Sequence, residues 1–228
     1  HTAISSGVRQ ADDQDSREAD RIRRRGRDAV LSSLATRGYF DPEVVLEVGE
    51  DFEGDTWDIS IVPGEKTVVK SVTNDFTGTI ANSLSYQQRI EDLRQDWGLP
   101  EGRVFINKEW SKAKSSLLEA VAAEDFYLAR MPHSQALIDP DESSADLHTV
   151  VDSGPVVRLG HTEVHGLRRV PLSLIRRYVR YEPGEHFSQQ KLDEWQQTLQ
   201  STNFFRGAFV TVKKPEDPTV YAEEEVSL

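Results

Sequence analysis

Two histidines four positions apart, His161 and His165 in the run His161-Thr-Glu-Val-His165, come nearest in this sequence to a metal-ligand motif. Such a pair shares one ion only where the backbone brings both imidazoles to one side, as a helix does. The flanking Val157, Leu159, Val164 and Gly166 read instead as an extended run. At ~3.3 Å per residue the two histidines then stand about 13 Å apart, too far to hold one metal. Solvent-facing or interdomain imidazoles are expected. His133 and His148 could meet across a hairpin, where they read as surface polar groups rather than ligands. The sequence has no cysteine, which removes zinc-thiolate sites, disulfides and cysteine nucleophiles together. Glycine-rich dinucleotide, phosphate-loop and nucleophile-elbow patterns are also missing. No catalytic residue, metal or cofactor is expected, and the reading is a non-enzyme.

The more informative residues are aromatic pairs and the elements around them. Tyr39-Phe40, Phe126-Tyr127 and Phe204-Phe205 each end a predicted helix and precede a predicted strand. They recur at intervals of 87 and 78 residues, too long for a solenoid unit and suited to a small α/β domain. Gly102-Arg-Val-Phe105 and Gly184-Glu-His-Phe187 recur before the helix that leads to the second and third pairs. An opening strand recurs too, within Pro63 to Val72 and within Ser153 to Leu159. The fold class is therefore α+β, with three tandem domains over 1–63, 64–153 and 154–228. Each is a strand-helix-helix-strand-strand unit, two helices packed on a small mixed sheet, and the first lacks its opening strand and part of its first helix.

Along the chain, a helix capped by Ser16 runs through Ile22, Ala29, Val30 and Leu34 to Gly38. Alternation about Val44, Leu46 and Val48, and about Trp57, Ile59 and Ile61, gives two half-buried strands joined by Gly49 to Asp55. The second unit has a Val68 to Val72 strand, a loop from Thr73 to Asn82, and a helix with Leu84, Ile90, Leu93 and Trp97. A helix capped by Asn107 follows, with Trp110, Leu117, Leu118 and Val121 inward. Met131-Pro132 marks the next strand as an edge or bulge, because proline cannot donate to a ladder. A hairpin loop at Asp139 to Ser144 and a strand from Ala145 to Val151 close the unit. The third has a strand ending at Gly166, helices over Leu172 to Val179 and from Ser188 through Leu199, a strand over Gly207 to Val212, and a last strand in Val220 to Leu228.

Units of roughly 75 residues sit near the lower size at which one core suffices, so packing between neighbours should matter. No run of 18 apolar residues offers a membrane-spanning helix. A net charge of −12 argues against nucleic acid, since phosphate binding needs cationic surface. Arg21, Arg23, Arg24, Arg25 and Arg27 are interleaved with Glu18, Asp20 and Asp28 and read as a solvated helix face. Absence of cysteine suits a periplasmic address. The chain opens at His1 without a leader, and a piece of a longer mature protein is expected.

The element order, the Gly-x-x-Phe before the second helix and the aromatic pair at its end resemble POTRA domains, the periplasmic modules of the Omp85 superfamily. Asp152-Ser-Gly-Pro-Val-Val-Arg-Leu-Gly160, followed by His161 to Gly166, resembles the start of the last POTRA domain of the TamA family. Arg37-Gly-Tyr-Phe40 and Val62-Pro-Gly64 resemble the end of that family's first domain and its junction to the second. A count of three domains fits TamA better than BamA, with five, or two-partner secretion transporters, with two. The signature residues are Gly38, Tyr39, Phe40, Phe105, Phe126, Tyr127, Gly154, Gly160, Gly166, Phe187, Phe204 and Phe205. Val157 and Leu159 replace the usual aromatics, and Asp125 and Asn203 stand where the pattern has glycine. The resemblance implies periplasmic placement in a Gram-negative bacterium and an outer-membrane β-barrel after the third domain. It also implies an inner-membrane-anchored TamB-like partner on the first domain, and delivery of proteins or lipids to the outer membrane.

Independently of that resemblance, a small sheet covered on one face leaves an edge whose N–H and C=O groups can take an extended segment from a partner. Candidate edges are Val44, Leu46 and Val48; Arg130 to Ile138; and Gly207, Phe209 and Thr211. Each also reads as a strand protected by charge or proline. The aromatic pairs could form a binding face, but their position at helix–strand junctions favours core packing. The alternative function is a stand-alone module holding unfolded outer-membrane strands.

Overall fold

The computed structural model describes residues 20–51, 54–167, 169–213 and 226–227. Helix α1 covers 20–35 and gives way to a turn that ends at Gly38, whose φ is +90°. Ser16, its expected cap, lies outside the described residues. Arg23 pairs with Asp20 at 2.9 Å on an exposed face. Strands β1, Glu43–Asp51, and β2, Gly54–Val62, are antiparallel in register from Glu43↔Val62 to Asp51↔Gly54. Both continue into the stretch read as a turn from Gly49 to Asp55, because pairing extends to the hairpin tip.

Strand β3, Val68–Thr77, is longer than the expected Val68–Val72. The loop reading from Thr73 fails because the extension is held by a polar pair: the buried Thr149 hydroxyl donates to the buried Asn74 side chain at 2.7 Å. A satisfied polar pair keeps a strand inside where an apolar-alternation rule ends it. Gly78, at φ +82°, turns the chain into the short α2, Thr79–Asn82. Ser83 is extended, so the helix expected through Leu84 to Trp97 is broken into a 3₁₀ turn, Leu84–Tyr86, and α3, Gln87–Gln95. Leu84 is 88% exposed and leaves the core to Ile90, Leu93 and Trp97.

Helix α4, Asn107–Ala122, leads to β4, Arg130–Asp139, and β5, Ser144–Asp152. The sheet order β3-β5-β4 places Pro132 on an edge strand, as its missing N–H requires. This central block runs strand, helices, strand, strand. After it come β6, Val157–Arg158; α5, Leu172–Tyr178; α6, Gln189–Ser201; and β7, Val226–Ser227, parallel to β6.

Two strand expectations in the C-terminal block are corrected. The strand expected to reach Gly166 stops at Arg158. Leu159 donates to the Glu185 carbonyl and accepts from Gly184, both at 2.7 Å, and Gly160 accepts from the Tyr181 hydroxyl; from His161 to Leu167 no strand is formed. Gly207 to Val212 likewise forms no strand. Side chains of α6 stand in for ladder partners: Gln196 accepts from the Val210 N–H at 3.0 Å and Gln200 donates to the Ala208 carbonyl at 2.8 Å. Most of the expected last strand lies outside the described residues.

The chain divides into two compact units. One comprises the chain up to Val72 with Leu99–Ser111 and Ala136–Leu147; the other comprises Thr73–Gly98, Lys112–Gln135 and the chain from His148. The first buries Val44, Val69, Phe105, Trp110 and Leu147. The second buries Ile80, Ile90, Leu117, Val121 and Phe126, and a cluster of Val157, Leu159, Phe187 and Leu192 ringed by Tyr127, Tyr181 and Trp195. Among the described residues no helix is long and apolar enough to cross a membrane.

Candidate functional site

Five of the signature residues, Gly38, Phe40, Phe105, Tyr127 and Phe187, take part in two junctions built alike, one inside each unit. In the first, the Gly38 carbonyl accepts from the Thr67 N–H at 2.8 Å, and the Thr67 carbonyl accepts from Phe105 at 2.9 Å. The Phe40 ring lies 5.5 Å from Phe105 at 51°. In the second, the Asp125 carbonyl accepts from Val157 at 2.7 Å, and the Val157 carbonyl accepts from Phe187 at 2.9 Å. The Tyr127 ring lies 4.8 Å from Phe187 at 60°. In each case the residue before an aromatic pair bonds one backbone position, Thr67 just before β3 or Val157 in β6, and that residue bonds the phenylalanine of Gly-x-x-Phe. The second aromatic of the pair then packs on that phenylalanine. Such tilted ring pairs add about 0.5–1.5 kcal/mol beyond area burial.

The aromatic pairs were expected in cores, and Phe126 is fully buried; Phe105 and Phe187 are buried as well. Sequence reasoning missed that the pair Phe126-Tyr127 divides its work. Phe126 stays in its own block, 5.0 Å from Tyr86, while Tyr127 serves the next. The available signal was the recurrence of an aromatic pair followed by a Gly-x-x-Phe, whose phenylalanine stands 66 residues after Tyr39 and 61 after Phe126. Phe204 departs from the core expectation: it is 60% exposed. Gly154 has φ +65° beside Ser153, whose hydroxyl accepts from the Ile80 N–H at 3.1 Å; Gly166 has φ +79°.

Asp125 is the electrostatic centre of the second junction. Its buried carboxylate accepts from His186 Nδ1 at 2.6 Å and from the Tyr86 hydroxyl at 3.1 Å, with Arg89 Nη1 at 3.7 Å. Arg89 also donates to the Ala120 and Val121 carbonyls in the last turn of α4 and to the Glu124 carbonyl just beyond it, where a cation is favoured by the helix dipole. Burial, and then the Asp125 charge, push the Tyr86 hydroxyl above its ordinary pKa.

The strand edges are placed as follows. β1, carrying Val44, Leu46 and Val48, pairs only with β2 among the described residues; Val44 is buried and Val45 is 51% exposed. β4 is the edge of its sheet. Gly207, Phe209 and Thr211 lie on the segment after α6, which forms no strand, with Phe209 exposed. That segment borders a cleft of about 1080 Å³ in the second unit, floored by Tyr181, Trp195 and Leu192. His161 and His165 stand at its rim, exposed, with Glu163 3.8 Å from His165. Among the described residues no three His, Asp or Glu side chains gather as for a metal. His133 and His148 do meet, rings 5.3 Å apart, and His148 bonds Asp75 at 2.9 Å.

No protein-family model and no curated protein matches the sequence. Among solved structures, BamA POTRA3-5 of Haemophilus influenzae superposes with a TM-score of 0.52 over 79% of this chain and 69% of that one, at 15% identity. The fold is the POTRA fold. Looser matches are the N-terminal domain of Omp85 from Thermosynechococcus elongatus and POTRA1-3 of the periplasmic domain of Omp85 from Anabaena. Their TM-scores are 0.32 and 0.36, at 18% and 16% identity, over 72% and 86% of this chain and 66% and 77% of theirs. Asp125 stands at the second junction where Gly38 stands at the first.

Proposed function

We propose that the chain is a periplasmic interaction scaffold, the POTRA region of an Omp85-type outer-membrane assembly factor of a Gram-negative bacterium. Its modules are 1–63, 64–153 and 154–228. It works by docking and strand addition rather than catalysis, and presents substrate toward a β-barrel that follows the third module. The observation that carries this reading is the repeated junction, Gly38–Thr67–Phe105 and Asp125–Val157–Phe187. A chain that spends its buried aromatics on joining modules is built to hold surfaces in a fixed series. The TamA-like version, with an inner-membrane-anchored TamB-like protein docked on the first module, is supported by the Ser153 to Gly166 pattern. A BamA-like region fits the fold equally.

Calorimetric titration with the purified periplasmic region of a TamB-like protein, and separately with an unfolded outer-membrane strand peptide, tests it. Saturable binding of the TamB-like protein supports the TamA-like scaffold. Binding of neither removes the proposal. A second reading, a chaperone-like module holding unfolded strands, draws on the apolar floor of the cleft at Tyr181 and Trp195. Peptide binding alone favours it.

A further inference from the structure

The two junctions share a backbone pattern and differ at one pair of side chains. Gly38 and Asp125 each precede an aromatic pair; Val104 and His186 each precede the phenylalanine of Gly-x-x-Phe. At the first junction a β-carbon on Gly38 would lie 2.5 Å from Val104 Cγ1, so only glycine fits. At the second, Asp125 is a non-glycine residue at φ 65°. Such a conformation persists where its surroundings over-determine it. Here they do: the Asp125 N–H donates to the Phe187 carbonyl at 3.0 Å, its carbonyl accepts from Val157, and its carboxylate meets His186, Tyr86 and Arg89. A carboxylate only accepts, so His186 Nδ1 is the donor. Tyr86 and Arg89 belong to the central block, and His186 lies before α6 in an antiparallel bridge with Arg158. One carboxylate therefore ties the two blocks together.

We infer that Asp125 and His186 form a polar latch that stiffens the second junction, a device absent from the Gly38–Val104 junction. It does not depend on the functional reading above. Charge-assisted hydrogen bonds are about twice as strong as neutral ones, and a buried carboxylate that loses its donor resists that loss.

Hydrogen exchange at the Val157 and Phe187 amides in the whole chain tests it. Asp125→Gly removes the carboxylate while easing the backbone, and His186→Val removes the donor while leaving Asp125. Each is expected to speed exchange at both amides about tenfold. The double variant should match Asp125→Gly alone, because that change already removes the bond that His186→Val breaks. His186→Gln, which can still donate, should keep protection within about threefold. If Asp125→Gly does not fold, the two His186 variants carry the comparison. Unchanged protection in His186→Val, equal loss in His186→Gln, or additive loss in the double variant overturns the latch.

Discussion

Gly38 and Asp125 occupy one position in two successive junctions, their carbonyls accepting from Thr67 at 2.8 Å and Val157 at 2.7 Å. Both hold positive φ, +90° and +65°. The two junctions thus share their backbone hydrogen bonds and differ in the side chain at this position.

Gly38→Ala should destabilise the first unit by about 1–3 kcal/mol, since the new β-carbon meets Val104 and the left-handed backbone disfavours it. Urea denaturation followed by tryptophan fluorescence reads the change. Adding Val104→Ala should recover only part, because it relieves the contact and leaves φ as it is. Full recovery would assign the whole cost to sterics.

Glu185 accepts from Lys191 Nζ at 2.7 Å and from the Glu182 N–H at 2.8 Å. The Lys191 bond, then the backbone bond, hold its carboxyl below the ordinary value of 4.5. As pH falls, the unfolded chain therefore takes up its proton first. The stabilisation is complete above that ordinary value and fades as pH drops through the lowered one. A thermal-melt series across the acid range should show wild type and Glu185→Gln differing at neutral pH and converging in acid. A constant gap would remove the carboxylate from the account.

Tyr86 gives the opposite sign. Its hydroxyl titrates above the ordinary value of 10.0, chiefly through burial, so the unfolded chain loses its proton first as pH rises. Its contribution is present below that value and is lost as pH climbs through the raised one. Tyr86→Phe should flatten this alkaline loss in the same melts.

The aromatic positions should separate sharply under truncation. Phe187, fully buried between Tyr127 and the β6 cluster, should cost about 3–5 kcal/mol on change to alanine. Phe204→Ala, at an exposed position, should stay within about 0.5 kcal/mol. Asn74→Ala should cost about 1–3 kcal/mol by leaving the Thr149 hydroxyl buried without its acceptor. Chemical denaturation of the three variants gives the order directly.

The block order, the helices around Ile90, Leu117 and Leu192, and the β1–β2 and β4–β5 strands were legible, because apolar periodicity and turn residues mark them in one dimension. His161 and His165 are exposed, but the strand from which their separation was read is not formed. What escaped depends on partners distant in sequence. Asn74 extends β3 only because Thr149 lies opposite, and Asp125 can hold a glycine-like conformation only with His186, Tyr86 and Arg89 around it. Gly207 to Val212 alternates like a strand, yet Gln196 and Gln200 of α6 take up its backbone groups. No local pattern announces that substitution.

With no cysteine in the sequence, single cysteines at Val45, Leu137 and Phe209 can report which surface a partner touches. Each is an exposed position, on β1, on β4 and on the segment after α6. Disulfide trapping of each variant with a cysteine-bearing segment of a TamB-like periplasmic protein tests the scaffold claim most directly. The account predicts trapping from Val45→Cys, on the first module, and little from the other two. Trapping from Phe209→Cys with an unfolded outer-membrane strand, and none from Val45→Cys with the TamB-like segment, would contradict it.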